Sequence, residues 1–302
     1  MHRGCIGLIA FALVNILMQC PTLGASSAKL VPVRVECRFS SCFDRHVVVF
    51  VHGIYGSEAT FEHASTGFSW PLNVRDDVLG HKVDVYRLDY RTKLISWAKA
   101  NIAYLDGVVY DTFDALGPLR DKYRSIGFIA HSLGGNVVAS YLHTVKTDQG
   151  HVARASNVFV ISLGTPYSGA QIANVGLLFK EVLGISDPLL TSLAANNTFL
   201  RFLERWRQSE DRKAAEFHCR PVHLYAAVET KPMGTIQIVD VDEAVKPIRN
   251  LAVEIKKFDR NHAEIAKPKD KSDDLYRWVD GIITNEFKRA DDWSGPLCTR
   301  PY

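Results

Sequence analysis

Ile126-Gly127-Phe128-Ile129-Ala130-His131-Ser132-Leu133-Gly134-Gly135 is the stretch from which the fold is read. An apolar run ends at Ala130, and helical spacing begins at Gly134 and runs to Val145. A buried strand therefore passes into a helix through a turn that contains Ser132. Strand and helix crowd each other at so sharp a turn, and the small residues Ala130 and Gly134 suit that crowding. Such a strand–turn–helix is the context of a nucleophile elbow, in which a strained serine is presented at the edge of a sheet. Ala130 stands where the G-x-S-x-G pattern has its first glycine. The Leu133 amide opens the helix and faces any oxyanion that forms on a carbonyl attacked by Ser132.

Outward from this turn the chain repeats the same rhythm. Strands are predicted at His46–His52, Val83–Leu88, Ile126–Ala130, Val158–Ile161, Val222–Val228 and Leu251–Ile255, with helices at Ser96–Leu116, Gly134–Val145 and Asp274–Phe287. Strands alternating with helices argue an α/β fold, a mostly parallel central sheet with helices on both faces. The 302 residues suit one such domain, 26–302, preceded by a short leader. Only residues 170–217 depart from the rhythm. There Val175, Leu178, Phe179 and Val182 share one helical face, and Phe199, Phe202, Leu203 and Trp206 share another. This segment is expected to be a helical cap inserted in the sheet domain, roofing an acyl-binding pocket.

The order of the remaining parts assigns the other chemical roles. His52-Gly53-Ile54-Tyr55-Gly56-Ser57 follows the first long strand at the carboxyl edge of the sheet, where ligands bind in open α/β folds. Its Ile54 amide is the expected second oxyanion donor, with His52 structural. In this architecture the acid and then the histidine follow the serine along the chain. Of the eleven histidines, His143 and His151 belong to the helix after the serine and its exit, and His218 and His223 lie at the wrong end of the next strand. His262, in the polar turn Phe258-Asp259-Arg260-Asn261-His262, is left as the base. The acid should close the preceding strand and hold the imidazole tautomer. Glu229 has that position, and Asp240 and Asp242 compete because a second short strand intervenes.

Met1-His2-Arg3-Gly4, the apolar run Cys5–Met18, Pro21 and Gly24-Ala25-Ser26-Ser27-Ala28 have the layout of a secretory signal peptide spanning 1–25, with cleavage after Ala25 or Ala28. An exported product is expected, secreted or periplasmic, the alternative being a chain left membrane-attached by an uncleaved leader. Export would leave Cys37, Cys42, Cys219 and Cys298, with Cys37–Cys42 and Cys219–Cys298 the preferred pairing. A net charge of +3 with interspersed signs, and no basic block, excludes nucleic acid as an expected partner. No Cys/His spacing suits a metal, and no motif indicates a cofactor.

With these residues in view, the chain resembles the α/β-hydrolase superfamily and its lipase-like branch over nearly all of residues 46–288. His52-Gly53-Ile54-x-Gly56-Ser57 is similar to the oxyanion loop of that branch, and Ser162-Leu163-Gly164-Thr165-Pro166-Tyr167-Ser168-Gly169 resembles its L-G-T-P-H-x-G segment, with Tyr167 in place of the usual histidine. Phe68-Ser69-Trp70-Pro71, Val228-Glu229-Thr230-Lys231-Pro232 and Asn261-His262-x-x-Ile265-x-Lys267-Pro268 are similar to a narrower group, the GPI inositol-deacylase-like and SERAC-like serine esterases. In that group the Glu-Thr segment holds the acid, which favours Glu229 over Asp240. The resemblance implies a serine ester hydrolase without a cofactor, cleaving a lipid or other acyl ester and in transient contact with a membrane surface. An acyltransferase with the same three residues, or a binding module on the same fold, is the alternative.

Overall fold

The computed structural model describes residues 28–53, 56–74, 77–78, 81–90, 111–119, 122–147, 157–167, 222–233, 248–249 and 252–294. The leader at 1–25, the cap at 170–217, Ile54, Asp240, Asp242, Cys219, Cys298 and the first part of the helix expected from Ser96 lie outside the described residues. The strands are β1 (Ala28–Arg34), β2 (Cys42–Val51), β3 (Asp77–Val78), β4 (His81–Tyr90), β5 (Tyr123–His131), β6 (Asn157–Leu163), β7 (His223–Glu229) and β8 (Ala252–Phe258). They lie in the order β1-β4-β2-β5-β6-β7-β8, with β3 beside β4. The pairings from β4 through β8 are parallel, while β1 and β3 join β4 antiparallel. The described helices are α1 (Trp70–Asn73), α2 (111–119), α3 (Leu133–Thr147) and α4 (Asp274–Asp291).

Central strands are buried on both faces, which is why they read as unbroken apolar runs rather than alternating ones. In β2, Val47, Val49 and Val51 point to one layer with Val138, Tyr141 and Leu142 of α3 and Leu116 of α2. Val48 and Phe50 point to the other, with Val279, Ile283 and Phe287 of α4 and Trp70 of α1. Each such fully buried aliphatic or aromatic side chain contributes about 1.5–3 kcal/mol relative to exposure. Helix α4 is closed at its start by Asp273, whose carboxylate accepts from the Leu275 and Tyr276 amides, and carries Lys288 and Arg289 in its last turn.

Two differences from the sequence reading have simple causes. No strand is predicted before His46, yet Ala28–Arg34 form β1, an edge strand, where Pro32 can sit without breaking an interior ladder. β8 runs on to Phe258, past the end of its apolar run, because as the last strand on the other side it exposes Val253, Glu254, Lys256 and Lys257.

The edge at which the parallel strands begin holds two buried polar clusters. Asp84 accepts from the Glu36 and Cys37 amides, the Arg45 guanidinium (2.5 and 3.0 Å) and the Tyr123 hydroxyl (2.7 Å). Burial raises the Asp84 carboxyl, but these donors outweigh it and the net shift is downward. Beside them Cys37 and Cys42 form the expected disulfide. In the second cluster Glu286, wholly buried on α4, takes hydrogen bonds from Asn157, Tyr225, Arg289 and the ring of His223. Burial again works upward on Glu286, and its partners bring it down to about 2. His223 is thus occupied at the edge opposite the turn after β5, where the sequence reading put it.

Candidate active site

Ser132 sits between β5 and α3 with φ at 54°, the one non-glycine among the described residues with positive φ. A side chain held there is strained, and the surroundings must fix it. Its amide continues the β5–β6 ladder by donating to the Leu163 carbonyl at 2.9 Å, and its carbonyl accepts from the Gly135 amide at 3.0 Å. Small neighbours are required by contact. A methyl on Gly134 would meet the Val51 carbonyl oxygen at 2.6 Å and press on the His52 carbonyl, and one on Gly53 would lie 2.8 Å from the Ser132 Cβ. The crowding expected from the motif is therefore between the start of α3 and the end of β2.

Glu229 and Phe258 are paired across the ends of β7 and β8. Glu229 thus lies beside the turn that carries His262. Nε2 of His262 is 2.9 Å from the Ser132 hydroxyl, and Nδ1 is 2.7 Å from Oε1 of Glu229. With Nδ1–H donating to the carboxylate, Nε2 is the lone-pair nitrogen and accepts from the serine hydroxyl. All three are buried, at 2%, 5% and 1% exposure for Ser132, His262 and Glu229. Their interactions are accordingly stronger than surface contacts. Oε2 of Glu229 has no hydrogen-bond partner among the described residues and faces Gly164, whose φ is +57°.

The turn is internally braced. The Asn261 side chain accepts from the Ala263 and Glu264 amides at 3.0 Å, Glu264 accepts from the Asn261 amide, and the Asn261 carbonyl accepts from Ile265. Arg260 binds Asp273 and Asp274 at the start of α4. From the Ser132 side, Nε2 of His131 donates to the His262 carbonyl at 2.8 Å.

Leu133 is the first residue of α3, so its amide has no partner within the helix. His52 is structural as expected: its Nδ1 is 2.7 Å from the Gly53 carbonyl, and its ring stacks on Tyr90, whose hydroxyl holds the His52 carbonyl. Burial lowers the His52 imidazole from its ordinary value. The L-G-T-P segment lies directly behind the site. Gly164 donates to the Ala227 carbonyl, Asn136 of α3 donates to the Pro166 carbonyl, and Thr165 fills the space a side chain on Gly135 would need. Sequence reasoning passed over His131 and Tyr90. His131 carried only its adjacency to Ser132 as a signal, and Tyr90 lay just beyond the strand it was expected to follow.

This is the architecture of an α/β-hydrolase. Residues 43–184 match the family model described as "Putative serine esterase (DUF676)". No curated protein matches the chain. Among solved structures it is similar to a carboxylesterase of Nitrososphaera gargenis, at 12% identity and a TM-score of 0.50, over 88% of this chain and 98% of that one. It is also similar to Est1E from Butyrivibrio proteoclasticus, solved with ferulic acid bound, at 12% identity and a TM-score of 0.50, over 88% and 96%. The two structures carry the fold, and the family match over residues 43–184 supports the class of serine ester hydrolases.

Proposed function

We propose that the chain cleaves acyl esters through an acyl-enzyme on Ser132. One observation carries this reading, the buried hydrogen-bonded chain from Ser132 through His262 to Glu229. His262 Nε2 takes the hydroxyl proton as Ser132 attacks the carbonyl, and Glu229 stabilises the imidazolium through Nδ1–H. The Leu133 amide, with that of Ile54, stabilises the oxyanion. His262 then returns the proton to the leaving alcohol, and the same imidazole activates the water that releases the acid.

The apolar helical pattern at 170–217 supports a lipid or other long acyl ester as substrate, met at a membrane surface. The Cys37–Cys42 disulfide supports export to an oxidising compartment. Hydrolysis of 4-nitrophenyl esters from acetate to palmitate, with Ser132→Ala and His262→Ala alongside, tests the reading. Turnover lost in both folded variants is expected, and the chain-length optimum sizes the pocket. Wild-type rates in folded Ser132→Ala would overturn it.

A further inference from the structure

His131 occupies the last position of β5, directly before Ser132, and is paired in register with Leu163 of β6. Its backbone is therefore fixed by the interior of the sheet. The turn bearing His262 is held mainly by its own neighbours: Asn261 and Glu264 within it, Lys231 beside β7, and Asp273 and Asp274 on α4. The hydrogen bond from His131 Nε2 to the His262 carbonyl ties that turn to the strand that presents the nucleophile.

We propose that His131 is a positioning residue for the ester hydrolysis: by holding the His262 main chain it sets the imidazole at proton-transfer distance from Ser132. The inference rests on the assignment of Ser132 and His262 above. Two adjacent residues, His131 and Ser132, then contact one residue of the facing turn, the first at its carbonyl and the second at its ring. A shift of the turn is resisted at both ends of His262. Proton transfer is steeply sensitive to such alignment, and misplacement by about 1 Å costs on the order of 100-fold.

The chemistry of the side chain also fits. The carbonyl needs a donor, and the neighbour must not carry charge, because His262 becomes cationic in the reaction with its ring centre 5.0 Å away. Burial, and then the closeness of His262, push His131 down to about 3, so it is a neutral Nε2–H donor throughout the working range. Glutamine offers a neutral amide donor on a chain of similar reach; leucine offers shape without a donor.

The test compares His131→Gln and His131→Leu on 4-nitrophenyl butyrate, with melting temperature recorded and Ser132 labelled by a fluorophosphonate. His131→Leu should lower kcat by roughly 10- to 100-fold and slow labelling in proportion. KM should stay within about twofold, because one imidazole serves both acylation and deacylation. His131→Gln should recover most of the rate. In a His262→Ala background, His131→Leu should lower the residual rate no further. Should the leucine variant not fold, His131→Asn, whose amide falls short of the carbonyl, takes its place. Wild-type kcat in a folded leucine or asparagine variant, no recovery with glutamine, or a further loss in the His262→Ala background would overturn the proposal. Full activity in His262→Ala would instead overturn the assignment of the base.

Discussion

Gly164 and Glu229 compete for one volume: a methyl group on Gly164 would lie 2.8 Å from Oε2 of the carboxylate and 3.2 Å from Nδ1 of His262. The positive φ of Gly164 is what allows the chain after β6 to pass so close behind the acid. Gly164→Ala should therefore cost about 1–3 kcal/mol in backbone strain alone and displace the carboxylate from His262. Thermal melting should fall by several degrees and kcat by at least about tenfold. A variant with native melting and rate would show that the chain shifts freely there.

Glu229→Gln keeps the size of the acid but replaces the acceptor of the Nδ1–H bond. The amide can donate to Nδ1 and so favour the wrong tautomer, leaving Nε2 protonated toward Ser132. Loss of kcat by about 10³- to 10⁴-fold is expected, with little change in melting. Steady-state kinetics with an activated ester decide it; retention of more than about a tenth of the rate would remove Glu229 from the mechanism.

At the opposite edge, Asp84→Leu leaves the guanidinium of Arg45, a residue only 7% exposed, without its buried partner. Breaking such a pair from one side costs about 3–5 kcal/mol. The urea midpoint should fall accordingly, while kcat per folded molecule stays at the wild-type value. A loss below about 1 kcal/mol would mean that Arg45 finds water or Glu36 instead.

Stability should decline in acid. His131 is lowered from 6.5 to about 3, by burial first and then by His262, with Lys267 and His52 also facing it, so the folded chain resists a proton that the unfolded chain accepts below about pH 6.5. Glu286 is lowered from 4.5 to about 2, so it adds stability that is lost as pH falls through that interval. Both contributions are full near neutrality and decrease as pH drops. Urea midpoints measured from about pH 7 to 4 should fall, and His131→Gln should flatten the upper part of that fall. A midpoint independent of pH across the range would contradict both assignments.

What could be read from sequence was what burial and order dictate. The apolar runs at 46–52 and 126–130 can be little other than interior strands, and the order of serine, acid and histidine singled out His262 from among the histidines. Edge strands carry a weaker pattern, so β1 with its Pro32 is not predicted as a strand and β8 reads short. The distance between Gly164 and Glu229, and the bond from His131 to the His262 carbonyl, join residues far apart in sequence. Neither leaves a periodicity or a spacing to detect, since each depends on how neighbouring strands are staggered.

The hydrogen-bonded chain at the site joins residues 130 positions apart between His262 and Ser132, and 33 apart between His262 and Glu229. A chain emerging from the ribosome exposes Ser132 long before His262 exists. The Ser132–His262–Glu229 chain cannot form until β7, β8 and the turn beyond them have docked, so it waits on residues far downstream of the serine. A half-made copy therefore carries Ser132 without the partner at its hydroxyl.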